Sequence, residues 1–291
     1  MDRIKGTGVA LVTPFKDNKE VDYPALEKLL NFVCDGGVDF LVVLGTTGEA
    51  ATMSCDEKNS VVRFIIDKSR NLPIVLGIGG NNSSEVVNSI NSCEFLEKID
   101  AILSVVPFYN KPTQEGIYQH YKFIHDNTKV PILMYNVPGR TAVNMSSETC
   151  LRCANNLERI IGVKEASGNL SQVTKILKDK PDDFVVLSGD DELTLPIIAC
   201  GGDGVISVVA NAYPKEFSKM VNLCRNNNFI EARIINNKLN DIINSMFVDG
   251  NPAGVKYYLN KRTIISNNLR LPLCPVSESC SSIIDELFKK G

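Results

Sequence analysis

In Ile160-Ile161-Gly162-Val163-Lys164-Glu165-Ala166-Ser167-Gly168-Asn169, an apolar run stops at a charged residue and a turn. Isoleucine and valine at this density predict a short strand buried on both faces, as in a parallel sheet. Lys164 ends that strand, so its ammonium group either reaches water or lies desolvated in a cleft. A desolvated ammonium gives up its proton more readily than one in water, and the neutral amine can attack a carbonyl carbon to form an imine. The stretch therefore predicts a parallel strand with a candidate nucleophile at its carboxyl end.

Comparable apolar runs recur along the chain, and each is followed by a stretch with helical periodicity. Two helix starts are signalled by Ser83-Ser84-Glu85 and Ser146-Ser147-Glu148. The predicted strands occupy residues 8–13, 40–44, 74–77, 101–106, 132–136, 160–164, 184–188 and 204–208. Strand–helix units repeated in this way through 291 residues favour an α/β fold, a closed (β/α)8 TIM barrel. The alternative is a doubly wound open sheet, but no Gly-x-Gly-x-x-Gly follows the first strand.

The last part of the chain has helical patterns and few strand signals. Long helices are predicted at 229–247 and 277–290. We therefore predict a catalytic barrel over residues 1–228 and a small C-terminal helical appendage over residues 229–291, covering one side of the barrel.

The composition is typical of a folded globular protein. Hydrophobic residues make up 44% and charged residues 22% of the chain, enough for a sizeable core. The net charge of -3, with scattered lysines and arginines, argues against a nucleic-acid-binding surface. No apolar run approaches the length of a membrane span, and no signal-peptide core follows the first residues. We expect a cytoplasmic protein that binds neither nucleic acid nor membranes.

The 9 cysteines raise the question of disulfides or a metal site. Their number is odd, and the only pair at a metal-binding spacing is Cys150 and Cys153. His120 and His125 are the only histidines that could complete such a site. We therefore expect ordinary buried thiols and no metal.

Reactive side chains gather where three of the predicted strands end. Gly45-Thr46-Thr47-Gly48-Glu49 follows the second strand, and its backbone N–H groups and hydroxyls can bind an anion. Tyr135 ends the fifth strand, and Lys164 ends the sixth. A tight turn, a rim tyrosine and a solvated lysine would explain each feature singly. Together, an anion cradle, a phenol and a buried amine at one barrel face indicate imine chemistry on a small 2-oxo acid.

With these motifs, the sequence closely resembles the dihydrodipicolinate synthase family of pyruvate-dependent class I aldolases. The resemblance covers nearly the whole chain, from Gly6 to Leu273. It depends on a set of motifs in the family's order, which are Gly45-Thr46-Thr47-Gly48-Glu49, Pro107-Phe108-Tyr109-Asn110-Lys111-Pro112, Tyr135-Asn136-Val137-Pro138-Gly139-Arg140-Thr141, Gly162-Val163-Lys164-Glu165-Ala166-Ser167-Gly168-Asn169, Leu187-Ser188-Gly189-Asp190-Asp191 and Gly204-Val205-Ile206-Ser207-Val208.

The resemblance implies a role for each matching residue. Lys164 would form the imine with pyruvate, and Thr46 with the adjacent amides would hold the pyruvate carboxylate. Thr47, Tyr135 and Tyr109 would form a proton relay, and Tyr109 would reach in from a neighbouring subunit.

For the second substrate, the resemblance assigns Arg140 to the carboxylate of L-aspartate 4-semialdehyde. Gly189 and Ile206 match positions whose backbone shapes the site. The implied reaction yields 4-hydroxy-tetrahydrodipicolinate, a step of lysine and diaminopimelate biosynthesis, and needs no metal or organic cofactor. The resemblance also implies a homotetramer built as a dimer of dimers.

One departure from the family pattern lies near the C-terminus. The family's Asn-Pro-x-Pro-Val-Lys run is here Asn251-Pro252-Ala253-Gly254-Val255-Lys256, and Gly254 lacks the restraint that proline imposes on φ. We expect the helical packing or the assembly to differ there. We expect the chemistry to survive, because no catalytic group lies in this run.

A second departure concerns the pocket in which some relatives bind lysine as an inhibitor. Three matching positions keep usable groups, and four have lost a hydroxyl or an imidazole. The retained residues are Ala51, Asn81 and Glu85; the changed ones are Ala50, Cys55, Lys58 and Phe108. The sequence therefore predicts a vestigial effector site and an enzyme insensitive to L-lysine.

Other functions remain open at this level. N-acetylneuraminate lyase and keto-deoxy-sugar aldolases share the lysine and the tyrosine. The Arg140 guanidinium group, however, suits bidentate hydrogen bonding to a carboxylate rather than to sugar hydroxyls. A non-catalytic regulatory paralogue would be expected to lose Lys164 or Tyr135. A pyridoxal-phosphate enzyme would need a phosphate cradle, which Asp190-Asp191-Glu192 opposes by charge.

Overall fold

A closed barrel of parallel strands forms the centre of the molecule. The structure is a computed structural model that describes residues 2–290. The strands are β1 Gly6–Ala10, β2 Phe40–Val43, β3 Ile74–Gly77, β4 Ala101–Val105, β5 Ile132–Asn136, β6 Ile160–Glu165, β7 Val185–Ser188 and β8 Gly204–Ser207. Each strand pairs with the next, and β1 closes the barrel against β8. The predicted TIM barrel is confirmed.

The helices surround this barrel and continue beyond it. They are α1 Tyr23–Asp35, α2 Cys55–Lys68, α3 Ser83–Asn91, α4 Gln114–Asn127, α5 Pro138–Thr141, α6 Ser147–Asn156, α7 Leu170–Asp179, α8 Thr194–Ala199, α9 Pro214–Arg225, α10 Phe229–Phe247, α11 Ala253–Lys261 and α12 Glu278–Lys290. Side chains cap the two helix starts that the sequence signals: Asn82 accepts from the first turn of α3, and Ser146 accepts from Thr149 N of α6.

Two hydrophobic layers follow from the alternation of side chains along the strands. The smaller layer fills the barrel and includes Phe40, Leu103, Leu133 and Ile206. The larger layer lies between the barrel and its helices. Because both faces of every strand are buried, the strands appear in the sequence as continuous apolar runs rather than as alternating ones.

The first strand begins and ends earlier than its predicted range of 8–13. Leu11, Val12 and Thr13 are buried, but Val12 N donates to Asn211 Oδ1 at 3.1 Å instead of continuing the ladder. Thr13 Oγ1 donates to Gly48 O at 2.7 Å. The apolar run therefore continues past the strand into the turn that carries the candidate site.

The C-terminal helices pack directly on the barrel's outer helices. The Tyr258 ring of α11 meets Tyr213, before α9, edge-on at 5.8 Å. At Gly254, an added Cβ would lie 2.2 Å from Met246 O, so α11 and α10 approach as closely as they do only because this residue is glycine. The predicted helices 229–247 and 277–290 agree with α10 and α12. The boundary between residues 228 and 229 stays a prediction.

The cysteines only partly match the expectation of buried thiols. Cys150, Cys153, Cys224 and Cys280 are buried, but Cys55, Cys200 and Cys274 are exposed, since they lie at helix ends and in a loop. Within residues 2–290, no group of three or more His, Cys, Asp and Glu side chains is placed to hold a metal ion. No helix in the same range is long and apolar enough to cross a membrane.

Candidate active site

Lys164 and Tyr135 face each other at the carboxyl end of the barrel. They are paired in the register of β5 and β6, and the Lys164 Nζ atom lies 4.2 Å from the centroid of the Tyr135 ring. Lys164 is only 7% exposed, and Ile206 lies in the same interior layer as the Tyr135 ring. An added Cβ at Gly189 would lie 3.0 Å from the Lys164 Cγ and Cε atoms, so a side chain there would crowd the lysine. The Lys164 side chain is therefore buried beside Tyr135, with close packing on the Gly189 side.

The residue after Lys164 fixes the strand ends from outside the barrel. Glu165 is buried, and its carboxylate accepts hydrogen bonds from Asn136 Nδ2 at 3.1 Å, Gln172 Nε2 at 3.1 Å and Ser167 N at 2.7 Å. These neutral donors satisfy a buried charge and tie β5, β6 and α7 together. This network is not predicted from the sequence, although the second charged residue of a buried strand is a usable signal for it.

The turn after β2 holds one hydroxyl inside the site and one at its surface. Residues Thr46–Gly48 form a single 3-10 turn, in which Thr47 is buried and Thr46 is exposed. Glu49 ends this turn in a left-handed conformation with φ of 54°. That conformation is unusual for a residue with a side chain, and here it directs a carboxylate into the protein.

Glu49 is held by two groups from the C-terminal region. Its Oε1 atom lies 2.5 Å from Lys256 Nζ, with both side chains fully buried, and its Oε2 accepts from Arg270 N at 2.9 Å. Burial lowers the pKa of Lys256 to about 8, against the opposing charge of Glu49. The turn is therefore anchored by an ion pair that no local sequence pattern indicates.

Asn251 brings the C-terminal region into the candidate site itself. It is 8% exposed, and its Nδ2 donates to Thr47 Oγ1 at 2.8 Å. Its backbone oxygen accepts from Arg140 Nη2 at 3.5 Å. The 251–256 run therefore contributes a residue that contacts the candidate site, and the expectation that it holds no catalytic group stays a prediction. Because Thr47 accepts from Asn251, its own hydroxyl proton is free to be donated elsewhere.

Arg140 and Tyr109 lie at the mouth of the barrel. Arg140 is exposed in the short helix α5 and borders a cleft of about 470 Å³ between that helix and the C-terminal segment. Tyr109 is 88% exposed and has φ of 71°. Within residues 2–290, no hydrogen bond joins its hydroxyl to Thr47 or Tyr135, so a single chain does not complete the relay.

Two of the segments expected at the effector pocket are in contact near the surface. Asn81 Nδ2 donates to Phe108 O at 3.1 Å, which links two of the matching segments. Ala51, Cys55, Asn81, Glu85 and Phe108 are exposed, whereas Ala50 and Lys58 are half-buried.

Comparisons with known proteins agree with this geometry. A family model described as the Dihydrodipicolinate synthetase family matches residues 3–290. A 4-hydroxy-tetrahydrodipicolinate synthase of Azobacteroides pseudotrichonymphae is 52% identical over 277 residues, covering 95% of this chain and 93% of that protein. The protein of the same name from Flavobacterium psychrophilum is 51% identical and covers 100% and 99%. The crystal structure of dihydrodipicolinate synthase from Aquifex aeolicus superposes with a TM-score of 0.94 at 38% identity, covering 99% of this chain and 98% of that one.

Proposed function

The chain belongs to the dihydrodipicolinate synthetase family, and from that premise we propose that Lys164 carries its chemistry as an imine with pyruvate. The protein is a lyase with 4-hydroxy-tetrahydrodipicolinate synthase activity, which serves lysine and diaminopimelate biosynthesis. The observation that supports the residue assignment best is the buried Lys164 side chain, which faces Tyr135 at the end of β6.

The first step joins Lys164 to pyruvate. Its amine nitrogen attacks the ketone carbon, and the ketone oxygen leaves as water. Thr46 and the N–H groups of the turn after β2 bind the carboxylate, which orients the ketone toward the amine. The protonated imine withdraws electrons from the methyl group, so that loss of a methyl proton gives an enamine.

The second step forms the carbon–carbon bond. The enamine carbon attacks the aldehyde carbon of L-aspartate 4-semialdehyde, and the aldehyde oxygen takes a proton. The Tyr135 ring lies beside the reacting nitrogen, which supports the proposal that Tyr135 moves these protons. Thr47 is proposed as the next group of the relay. The amino group of the semialdehyde then attacks the imine carbon, closes the ring and releases the Lys164 amine.

Assembly and location stay predictions. The exposed Tyr109 supports a relay completed by a second copy of the chain, and we propose a homotetramer built as a dimer of dimers. A cytoplasmic location also remains a prediction.

A coupled assay tests the function directly: pyruvate and the semialdehyde are mixed with the reductase that consumes the product. Turnover of N-acetylneuraminate or a keto-deoxy-sugar acid in place of this reaction would contradict the proposal.

Arg140→Ala is predicted to impair use of the semialdehyde rather than of pyruvate. Arg140 borders the cleft between α5 and the C-terminal segment, and Lys164 is not among the residues that line it. A charge-assisted contact of about 1.5–3 kcal/mol corresponds to roughly a ten- to over a hundredfold rise in KM for the semialdehyde. Borohydride trapping of pyruvate should stay near the wild-type rate. If both functions fall equally, Arg140 supports the structure instead of binding substrate.

We also predict that L-lysine does not inhibit the enzyme. Each donor lost from the effector pocket weakens binding by about 0.5–1.5 kcal/mol. Lys58 adds a charge that repels a cationic effector by about 1 kcal/mol at ~4 Å in water, or ~4 kcal/mol at an effective dielectric of 20. Initial rates should be nearly unchanged at millimolar lysine. Half-inhibition below one millimolar would mean that Asn81 and Glu85 suffice for binding.

A further inference from the structure

The cleft beside Arg140 carries two charged side chains of opposite sign. Arg140 lies on the α5 side, Asp249 lies on the segment between α10 and α11, and the other lining residues of the cleft are uncharged. Asn251 borders the cleft and also bonds to Thr47 in the barrel mouth. Asn251 therefore connects the wall of the cleft to the candidate active site.

Asp249 is held in place through one of its two oxygens. Its Oδ2 accepts from Ser277 N and from Ser277 Oγ, each at 2.7 Å, just before α12 begins. These two bonds, with a smaller contribution from the Cys280 thiol, hold the pKa of Asp249 below its usual range, so the carboxylate is ionised at neutral pH. Both hydrogen bonds from Ser277, immediately before α12, are accepted by Oδ2, and neither is accepted by Oδ1. The side chain is exposed at the cleft.

The two opposite charges line one cleft near Asn251. Arg140 Nη2 lies 3.5 Å from the backbone oxygen of Asn251, and Asp249 is two residues earlier in the chain. An α-amino acid carries its ammonium and its carboxylate on the same carbon. A cation and an anion on opposite sides of one cleft can bind both groups at once.

We propose that Asp249 binds the α-ammonium group of the second substrate while Arg140 binds its carboxylate. This inference rests on the proposed function and adds the group that distinguishes an amino-acid aldehyde from a plain aldehyde acid. Asp249 takes part in no bond-making step. It keeps the amine protonated, and therefore not nucleophilic, until the carbon–carbon bond has formed. Ring closure follows once the amine leaves Asp249 and gives up its proton to water.

The test compares two ligands that differ only in the amino group. Asp249→Asn keeps the size of the side chain and an oxygen for Ser277, and it removes the charge. The KM for aspartate semialdehyde should rise about tenfold at low ionic strength, and less at high salt. The KM for pyruvate should not change. Inhibition by succinate semialdehyde, the same chain without the amino group, should also stay at its wild-type strength.

Two further variants separate a specific contact from a general charge effect. Asp249→Glu keeps the carboxylate and should lie closer to wild type than Asp249→Asn. Glu278→Gln removes a charge from the exposed start of α12, outside the cleft lining, and should leave both KM values unchanged. An unchanged KM for the semialdehyde in Asp249→Asn, or an equal loss for both aldehydes, overturns the proposal. A wild-type protein that does not condense pyruvate with the semialdehyde overturns the proposed function instead.

Discussion

Replacing Lys164 with alanine is expected to abolish condensation and to remove the covalent trap for pyruvate. Loss of the nucleophile should lower turnover by roughly a thousandfold or more, because no imine and hence no enamine can form. In the wild-type protein, borohydride should reduce the imine to a secondary amine. Peptide mass spectrometry should then find a lactyl-sized addition on the peptide that contains Lys164.

The sharpest control for this assignment is the other buried lysine. Lys256 is fully buried and has a pKa lowered to about 8, a perturbation that often marks a functional lysine. Its ammonium is instead committed to Glu49 and to Asn268 O, and it lies 4.4 Å from the centroid of the Phe15 ring, with no face open to a substrate. The label should therefore appear on Lys164 and not on Lys256. Label on Lys256, or unchanged labelling in Lys164→Ala, contradicts the assignment.

Local sequence patterns are sufficient to predict much of the fold and part of the candidate site. A parallel strand buried on both faces is a continuous apolar run, so β2, β3 and β5 were predicted within a residue of their bounds. Tyr135 and Lys164 were predicted to lie together because barrel strands place their carboxyl ends on one face. Their pairing in register agrees with that expectation.

Local sequence patterns do not predict the contacts between segments that are far apart in the chain. The early end of β1 depends on Asn211, 199 residues along the chain, and the position of Thr47 depends on Asn251, 204 residues away. Neither asparagine stands out in its own neighbourhood. Tyr109 was recognised only through the family resemblance, because an exposed tyrosine in a loop has no local signal for function.

The C-terminal region supports the turn after β2 through several charged contacts. Arg270 N donates to Glu49, while its guanidinium group bonds to Glu57 and lies 4.3 Å from the centroid of the Phe15 ring. Hydrogen bonding to Arg270 lowers the pKa of Glu57 to about 2. The appendage is therefore part of what holds Thr46 and Thr47 in place, and its packing should affect catalysis as well as stability.

Lys256→Met is predicted to be the most destabilising of the substitutions considered. The substitution leaves the Glu49 carboxylate buried without its cation and leaves Asn268 O without its donor. Breaking a buried ion pair from one side costs about 3–5 kcal/mol of unfolding free energy, because the remaining charge is desolvated and unpaired. Denaturant unfolding should show this loss, and turnover should fall as the turn that carries Thr46 and Thr47 loosens.

The double variant Lys256→Met with Glu49→Gln separates two contributions to the lost stability. One is the attraction between Lys256 and Glu49, and the other is the cost of leaving the Glu49 carboxylate buried without a cation. A glutamine at position 49 can still accept from Arg270 N, and it removes the buried charge that the single variant leaves unpaired. The double variant should therefore be more stable than Lys256→Met alone, since buried ion pairs are costly to break but often replaceable by neutral groups. Additive losses in the double-mutant cycle, or a loss below about 1 kcal/mol in Lys256→Met, would show that the pair is hydrated and does not anchor the turn.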